Sequence, residues 1–317
     1  MLKLLHDIQL PTQKVLAVAF SLDNQKCAAG DRDGLIHIID VESGTVERKL
    51  KQHVEFVYTL AFNPDNGHLL SAGKDKSIRE WDIETGTFIK DHAGIFVSQG
   101  ARTMGAQSFK PSTRSHKMTI LSIAAVKGGR MATASQDKYV KLWKNGEPIR
   151  TFDWHTAPVT CVRFQPETDI LFSASRDLTL RSWNESNGAL IHKYSGHYAE
   201  IVAFEFINDT HFVSVDVAGY VMLWHVERES LLEIIYQSGG RIQTATYQNG
   251  ILWLGHETGK LEAVQIDIEN IRKIEKPEFS IEHHRCEVRS ICVSENGYMV
   301  SSDNAGKVAI WSIDSHV

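Results

Sequence analysis

The stretch SAGKDKSIREWDIETG, residues 71–86, decides the fold of this chain. It begins with small residues, continues through a turn centred on Asp75, and ends its alternating run at Trp81. This order is typical of two antiparallel strands joined by a tight turn. Two further stretches have the same pattern, TASQDKYVKLWKNGE at 133–147 and SASRDLTLRSWNESNG at 173–188. The chain therefore contains an internal repeat.

Four fainter copies raise the number of repeats to seven, and they cover residues 28–44, 214–229, 254–269 and 301–316. Each copy follows another alternating stretch, and most are followed by one more, so the predicted unit is a sheet of four antiparallel strands. The last position of the pattern recurs about every 40 residues, apart from two longer gaps. It is occupied by Ile39, Trp81, Trp143, Trp183, Trp224, Val264 and Trp311.

The two ends of the sequence are predicted to complete one sheet. The seventh copy stops at Val317 without a fourth strand, whereas LKLLHDIQL at residues 2–10 precedes the first repeat and belongs to none. We expect residues 2–10 to be the closing strand of blade seven. Residues 1–317 are then a single seven-bladed β-propeller, an all-β fold of four-stranded antiparallel blades without open sheet ends.

The repeats resemble those of the WD-repeat family over essentially the whole chain, although Trp81-Asp82 is the one literal Trp-Asp pair. The resemblance implies that a His, a Ser or Thr, an Asp and a Trp form a buried hydrogen-bond network, here called the tetrad, which stiffens its blade. Three blades contain all four types: His53, Ser71, Asp75 and Trp81; His116, Thr133, Asp137 and Trp143; His155, Ser173, Asp177 and Trp183.

Blades five to seven depart from the tetrad pattern. Blades five and seven keep the His, the Ser and the Trp, but Ala218 and Ala305 stand where the Asp is expected. Blade six has Ser238, Thr258 and Val264 at tetrad positions. We therefore expect incomplete networks in blades five and seven, none in blade six, and a greater dependence on apolar packing in all three.

The residues favour a protein that is not an enzyme, with no catalytic residue, no metal and no cofactor. Ser, His and Asp occur together three times, but a hydrolase needs one exposed, activated nucleophile beside an oxyanion site, whereas these sets repeat with the blades. The fifteen histidines lack the spacing of known metal sites. No phosphate-binding glycine motif is present.

Composition restricts the class of partner. The net charge of −5 and the pI near 6.3 argue against a surface adapted as a whole to nucleic acid. No apolar stretch is long enough for a signal peptide or a membrane span, so we expect no membrane contact and an intracellular, cytoplasmic protein, with the nucleus left open. The few cysteines, without C-x-x-C spacing, fit reduced thiols.

The resemblance places the His loops and the Asp turns on one face, here called the top face, and function concentrates in loops. Residues 93–113 form an insertion between blades two and three, in a stretch that has basic but no acidic residues between Asp91 and Asp137. We expect a top face that is basic toward blades one to four and more acidic toward blades five to seven. The predicted partner-binding residues are Lys14, Arg32, Phe56, Lys74, Arg102, Lys110, Arg114, Lys117, Arg176, Tyr198, Arg241 and Arg285.

These features predict a protein–protein interaction scaffold, or a recognition subunit of an intracellular complex, that is itself monomeric. Its partners are expected to be proteins or peptides with acidic or phosphorylated segments, bound on the top face. Four alternatives stay open: a nucleic-acid-binding subunit that uses the basic insertion, a substrate receptor of a ubiquitin ligase, an enzyme that uses the central channel, and an insertion without any partner. The charge alternation of residues 267–279 favours a solvated turn or short helix, with a secondary binding role as the alternative.

Overall fold

A computed structural model of the protein describes residues 2–92, 94–97, 108–111 and 115–313, with only the backbone of 94–97 and 108–111 described. Thirty strands are present in these residues, and β10 (Gly94–Val97) pairs antiparallel with β11 (Ser108–Pro111) within the predicted insertion. No helix in the described ranges has the length and apolar character needed to cross a membrane.

The other strands form seven four-stranded antiparallel sheets, so the predicted seven-bladed propeller is confirmed. Blades one to three are, from the inner to the outer strand, β2–β5 (Val15–Phe20, Lys26–Asp31, Leu35–Asp40, Val46–Lys51), β6–β9 (Val57–Phe62, Leu69–Gly73, Ile78–Asp82, Thr87–Asp91) and β12–β15 (Ile120–Val126, Arg130–Ser135, Val140–Lys144, Glu147–Phe152). Blades four to six are β16–β19 (Val159–Phe164, Ile170–Ser175, Thr179–Asn184, Leu190–Ser195), β20–β23 (Ile201–Phe206, His211–Asp216, Tyr220–His225, Leu231–Gln237) and β24–β27 (Ile242–Gln248, Ile251–His256, Lys260–Gln265, Phe279–Glu282).

Blade seven combines the two ends of the chain. It consists of β28 (Val288–Val293), β29 (Tyr298–Asp303), β30 (Lys307–Ile313) and β1 (Leu2–Gln9). The register of β1 on β30 runs from Leu2 opposite Ile313 to Gln9 opposite Lys307. The predicted closure of the ring by the N-terminal strand is thus confirmed.

The core is divided among the seven seams between neighbouring blades, and each seam contains one hydrophobic cluster. The last residue of each repeat pattern fills the seam with the preceding blade: Trp81 packs with Ile36 and Ile38 of blade one, and Val264 packs with Leu223 of blade five. Truncating such a buried Trp to Ala typically costs about 3–5 kcal/mol. Burial at the seams is therefore what holds the ring of blades together.

The turn between the second and third strands contains a residue with positive φ in every blade. In blades two to four this residue is not glycine, with φ of 67° at Lys76, 75° at Lys138 and 67° at Leu178. The other four blades have a glycine there, with φ between 79° and 93°: Gly34, Gly219, Gly259 and Gly306. The blades thus fall into two groups by their turns.

Candidate partner-docking face

The tetrads of blades two to four form continuous chains of hydrogen bonds. In blade two, Trp81 Nε1 donates to Ser71 Oγ over 2.8 Å, and Ser71 Oγ lies 2.8 Å from His53 Nε2. His53 Nδ1 lies 2.9 Å from an oxygen of Asp75, so the tautomer with hydrogen on Nδ1 satisfies every group in turn. The sets containing Trp143 and Trp183 repeat these contacts at 2.8–3.0 Å.

Burial and hydrogen bonding set the charge states within the tetrads. Burial lowers the pKa of His116 and of His155, which favours the neutral imidazole. Burial alone would raise the pKa of Asp177, but hydrogen bonds from His155, Thr179 and the backbone of Thr156 bring that pKa well below its ordinary value. A neutral histidine thus donates to an ionised aspartate within a buried, fully paired network.

The expectation of incomplete networks in blades five and seven was wrong, because the aspartate has moved two positions toward the Ser. In blade five Asp216 lies 2.9 Å from His197 Nδ1, and in blade seven Asp303 lies 2.9 Å from His284 Nδ1. The Ser and Trp contacts are also present in both blades, at 2.6–3.0 Å. Ser-x-Asp in place of Ser-x-x-x-Asp was the sequence signal for this change.

Blades one and six use side chains from the third strand. In blade one, His37 Nε2 lies 3.0 Å from Asp31, and both side chains are fully buried. In blade six, Glu262 accepts from Ser238 Oγ at 2.9 Å and lies 3.0 Å from His256 Nε2. Blade six, expected to lack a network, therefore has a different one, and Thr258 has no place in it.

Paired backbone positions form a rim around the top of the propeller. The backbone N–H before each turn aspartate, or its counterpart, donates 2.8–3.1 Å to the carbonyl of the residue that leads into the first strand of the same blade. The donor and acceptor residues are Arg32 and Lys14, Lys74 and Phe56, Gln136 and Thr119, Arg176 and Pro158, Val217 and Glu200, Glu257 and Arg241, and Asn304 and Glu287. The position before the turn aspartate and the position that leads into the first strand thus lie side by side in every blade.

Two basic side chains on this rim meet over one aromatic ring. The guanidinium carbon of Arg32 lies 5.7 Å from the centroid of Phe56, and Lys74 Nζ lies 5.0 Å from it. Both distances are in the range of cation–π attraction. Arg32 and Lys74 are here called the cation pair.

Other predicted basic residues lie close to carboxylates. Arg176 Nε lies 3.4 Å from Glu200, and Arg241 Nε lies 2.9 Å from Glu257. Glu200 belongs to blade five and Arg176 to blade four. The two expected halves, one basic and one acidic, therefore meet in an ion pair where these blades join. The cation pair brings two positive charges over one ring, with the carboxylate of Glu55 3.4 Å from Lys74.

The remaining predicted residues are distributed as follows. Lys117, Tyr198 and Arg285 are exposed on the His loops, and Lys14 is half-buried on the rim. Lys110 lies on β11, where only the backbone is described, and Arg102 and Arg114 lie outside the described residues.

Comparison with known proteins agrees with this geometry. The family model for the WD domain, G-beta repeat, matches residues 2–40, 44–82, 108–144, 146–184 and 275–312, more than half of the chain. This chain belongs to the WD40 family. A solved WD40 β-propeller domain of Doa1 superimposes with a TM-score of 0.82, at 18% identity, over 99% of this chain and 98% of that one. This likeness concerns the fold alone.

Curated relatives of this WD40 protein include three with distinct names. The U3 snoRNP-associated protein-like EMB2271 of Arabidopsis thaliana is 24% identical over 90% of this chain and 62% of its own length. Transcription initiation factor TFIID subunit 5 of Caenorhabditis elegans is 25% identical over 73% of the chain and 33% of its own. DDB1- and CUL4-associated factor 13 of Dictyostelium discoideum is 30% identical over 51% and 34%. The chain thus spans about a third to three fifths of these relatives.

The first strands of the seven blades line a central channel of about 710 Å³. The most prominent ion pair there joins Arg163 and Glu205 through two contacts, of 2.9 and 3.3 Å. Among the described residues, no group of three or more His, Cys, Asp and Glu side chains is placed to hold a metal ion. Arg163 and Glu205 thus satisfy one another within the channel.

Three exposed apolar residues of the His loops were missed by the sequence reasoning. Val54, Met118 and Trp154 are 71%, 48% and 58% exposed. Each lies within two residues of a tetrad histidine, and a large apolar side chain in such a polar loop was the signal that could have identified them.

Proposed function

We propose that this WD40 propeller is a non-catalytic scaffold or recognition subunit of an intracellular complex, and that its top face binds an acidic or phosphorylated segment of a partner protein. WD40 propellers are typically interaction modules, and one relative is named as a subunit and two others as associated proteins. Fold alone does not assign a function, so the proposal depends on the chemistry of the top face.

The cation pair is the observation that carries the proposal. Two positive charges converge on Phe56, and Arg32 donates a hydrogen bond to Gln13 Oε1, a neutral amide that leaves its charge unbalanced. With the single carboxylate of Glu55 3.4 Å from Lys74, the two cations keep a net positive charge, which favours the binding of an anion beside them. Carboxylates and phosphates are the anions that Arg recognises with the best geometry.

The rim also supplies the rigidity that a recognition site needs. Asp75 and Asp137 accept hydrogen bonds from loop backbone N–H groups, at 3.3 Å from Val54 and 2.8 Å from Lys117. The same carboxylates contact the tetrad histidines, so loop, turn and blade are held together. A partner therefore meets a surface that loses little conformational freedom on binding.

Affinity purification of the tagged chain, followed by mass spectrometry, tests this proposal. We expect one or more proteins to copurify with the wild type and to be reduced about tenfold or more with the double variant Arg32→Glu, Lys74→Glu. Lys49→Glu, a charge reversal on the outer strand β5, is the matched control and should leave recovery unchanged. Equal recovery with the double variant, at unchanged thermal stability, contradicts the proposal.

Phosphatase treatment of the lysate separates the two forms of the partner. A phosphorylated segment loses binding after treatment, whereas a segment that depends on Asp and Glu retains it. Nucleic acid in place of protein would give a steep decrease of affinity with salt and sensitivity to nuclease.

A further inference from the structure

Large exposed apolar side chains extend over the His loops of four consecutive blades. Val54 precedes blade two, Met118 blade three and Trp154 blade four, while Tyr198 precedes blade five and is 82% exposed. These four residues are here called the apolar arc. Since neighbouring blades are adjacent in the ring, the arc follows the top face over half of the propeller.

The arc is presented by ordered loops, and not by loose ones. His155 and His197, the direct neighbours of Trp154 and Tyr198, are each buried and held by two side-chain hydrogen bonds of 2.6–2.9 Å. The carbonyl of Met118 accepts a hydrogen bond of 3.3 Å from Ser135 Oγ. Exposed aromatic side chains on a rigid support are typical of interface hot spots, because little freedom is lost when they are covered.

Positive charge borders one end of the same arc, whereas the exposed Asp153 lies beside Trp154. Lys117 is exposed next to Met118, and Lys74 belongs to the blade whose His loop contains Val54. At the far end Arg176 and Glu200 balance one another, at 3.4 Å. An occupant of this surface therefore contacts apolar side chains along its length and meets an excess of positive charge toward blades two and one.

We infer that the partner segment of the proposed function is an acidic peptide that also carries large apolar side chains, and that it lies along the apolar arc. Its apolar side chains cover Trp154 and Tyr198, and its carboxylates face Lys117 and the cation pair. Burial of the apolar side chains supplies most of the affinity, while the charges set orientation and association rate. The inference rests on the proposed function and adds the apolar half of the recognition.

Selection from a phage-displayed library of random short peptides tests the inference directly. Peptides enriched on the wild-type chain are expected to combine Asp or Glu with Trp, Phe, Leu or Met. The double variant Trp154→Ala, Tyr198→Ala should weaken their binding by about 30-fold or more. Ile149→Ala, which removes a 52% exposed apolar side chain from the outer strand β15, is the matched control and should leave affinity unchanged.

The possible outcomes separate the inference from the proposed function. Selected peptides that are acidic without apolar residues, and that lose binding only with Arg32→Glu, Lys74→Glu, overturn the inference and leave the proposed function standing. Binding that is insensitive to both double variants overturns both. No enrichment on the wild-type chain also contradicts the inference, and the proposed function is then decided by copurification and its phosphatase arm.

Discussion

Blades two to four differ from blades one, five, six and seven in how a buried histidine is paired with a carboxylate and in which residue of the turn has positive φ. In the first group the turn aspartate lies four positions after the tetrad Ser or Thr, and the residue with positive φ is Lys or Leu. In the second group the positive-φ residue is glycine, and the end of the second strand supplies the carboxylate in blades one, five and seven and the histidine in blade six. In both groups a buried imidazole reaches a buried carboxylate.

The position of the carboxylate decides what it connects. In blades two to four the carboxylate accepts from the backbone of the His loop, for instance Thr156 N–H to Asp177 at 3.0 Å, and so joins loop to turn. Asp216 instead accepts from Ala218 and Tyr220 of its own turn, at 3.0 and 3.1 Å. The loops anchored by backbone as well as side chain are thus those that present Val54, Met118 and Trp154, most of the apolar arc.

Removing the relocated aspartate gives the largest expected effect. Asp216→Ala leaves the buried His197 without its acceptor and frees two turn N–H groups, which should lower the free energy of unfolding by about 3–4 kcal/mol. Asp209→Ala, in an exposed turn of the same blade, should change it by less than about 0.5 kcal/mol. Urea unfolding measures both, and equal small losses would show that blade five depends on apolar packing.

Substitution of a turn glycine tests whether the two kinds of turn, with glycine or with another residue at positive φ, differ in what they tolerate. At Gly259 φ is 93°, and an added Cβ would lie 2.0 Å from the carbonyl oxygen of His284 in the next blade. Gly259→Ala should therefore destabilise the protein by about 2–3 kcal/mol, through the left-handed backbone and the steric clash. Lys138→Ala occupies the equivalent turn position in blade three and should have almost no effect, because a Cβ is already accommodated there. Similar thermal shifts for both variants would remove the distinction between the two turns.

Periodicity made the strands predictable, because alternation and turn residues are local properties. The alternating stretch VTCVRF, which precedes the copy at 173–188, for example, is β16 (Val159–Phe164). The networks were harder to predict, since a shift of two positions, as at Asp216, still brings the carboxylate to the same imidazole. Glu262 was missed because nothing local in the sequence indicates that a third-strand carboxylate faces Ser238. Pairing of Arg176 with Glu200 depends on the contact between two blades and is likewise not local.

The smallest expected effect is on the pH dependence of stability, through Glu262 of blade six. It tests whether this blade replaces the tetrad aspartate with an ionised glutamate. Burial alone would raise the pKa of Glu262, but hydrogen bonds from His256 and Lys260 lower it to about 2 from an ordinary 4.5. The unfolded chain therefore binds the proton at higher pH than the folded one, so this contribution is complete above pH 4.5 and is lost as pH falls toward about 2. Between pH 6 and pH 3 the loss amounts to about 2 kcal/mol.

Glu262→Gln should therefore show a decrease in unfolding free energy between pH 6 and pH 3 that is about 2 kcal/mol smaller than that of the wild type. Denaturant unfolding at the two pH values measures this difference, and Glu295→Gln, at an exposed position of blade seven, is the control that should leave it unchanged. An unchanged difference in Glu262→Gln would mean that the carboxylate is not held in its ionised form, and that Ser238, His256 and Glu262 do not act as the blade-six counterpart of a tetrad. Hydrogen bonds donated by histidine also lower the pKa of Asp75, Asp137 and Asp303, against the effect of burial. These aspartates therefore contribute the same loss of unfolding free energy at low pH in the wild type and in both variants.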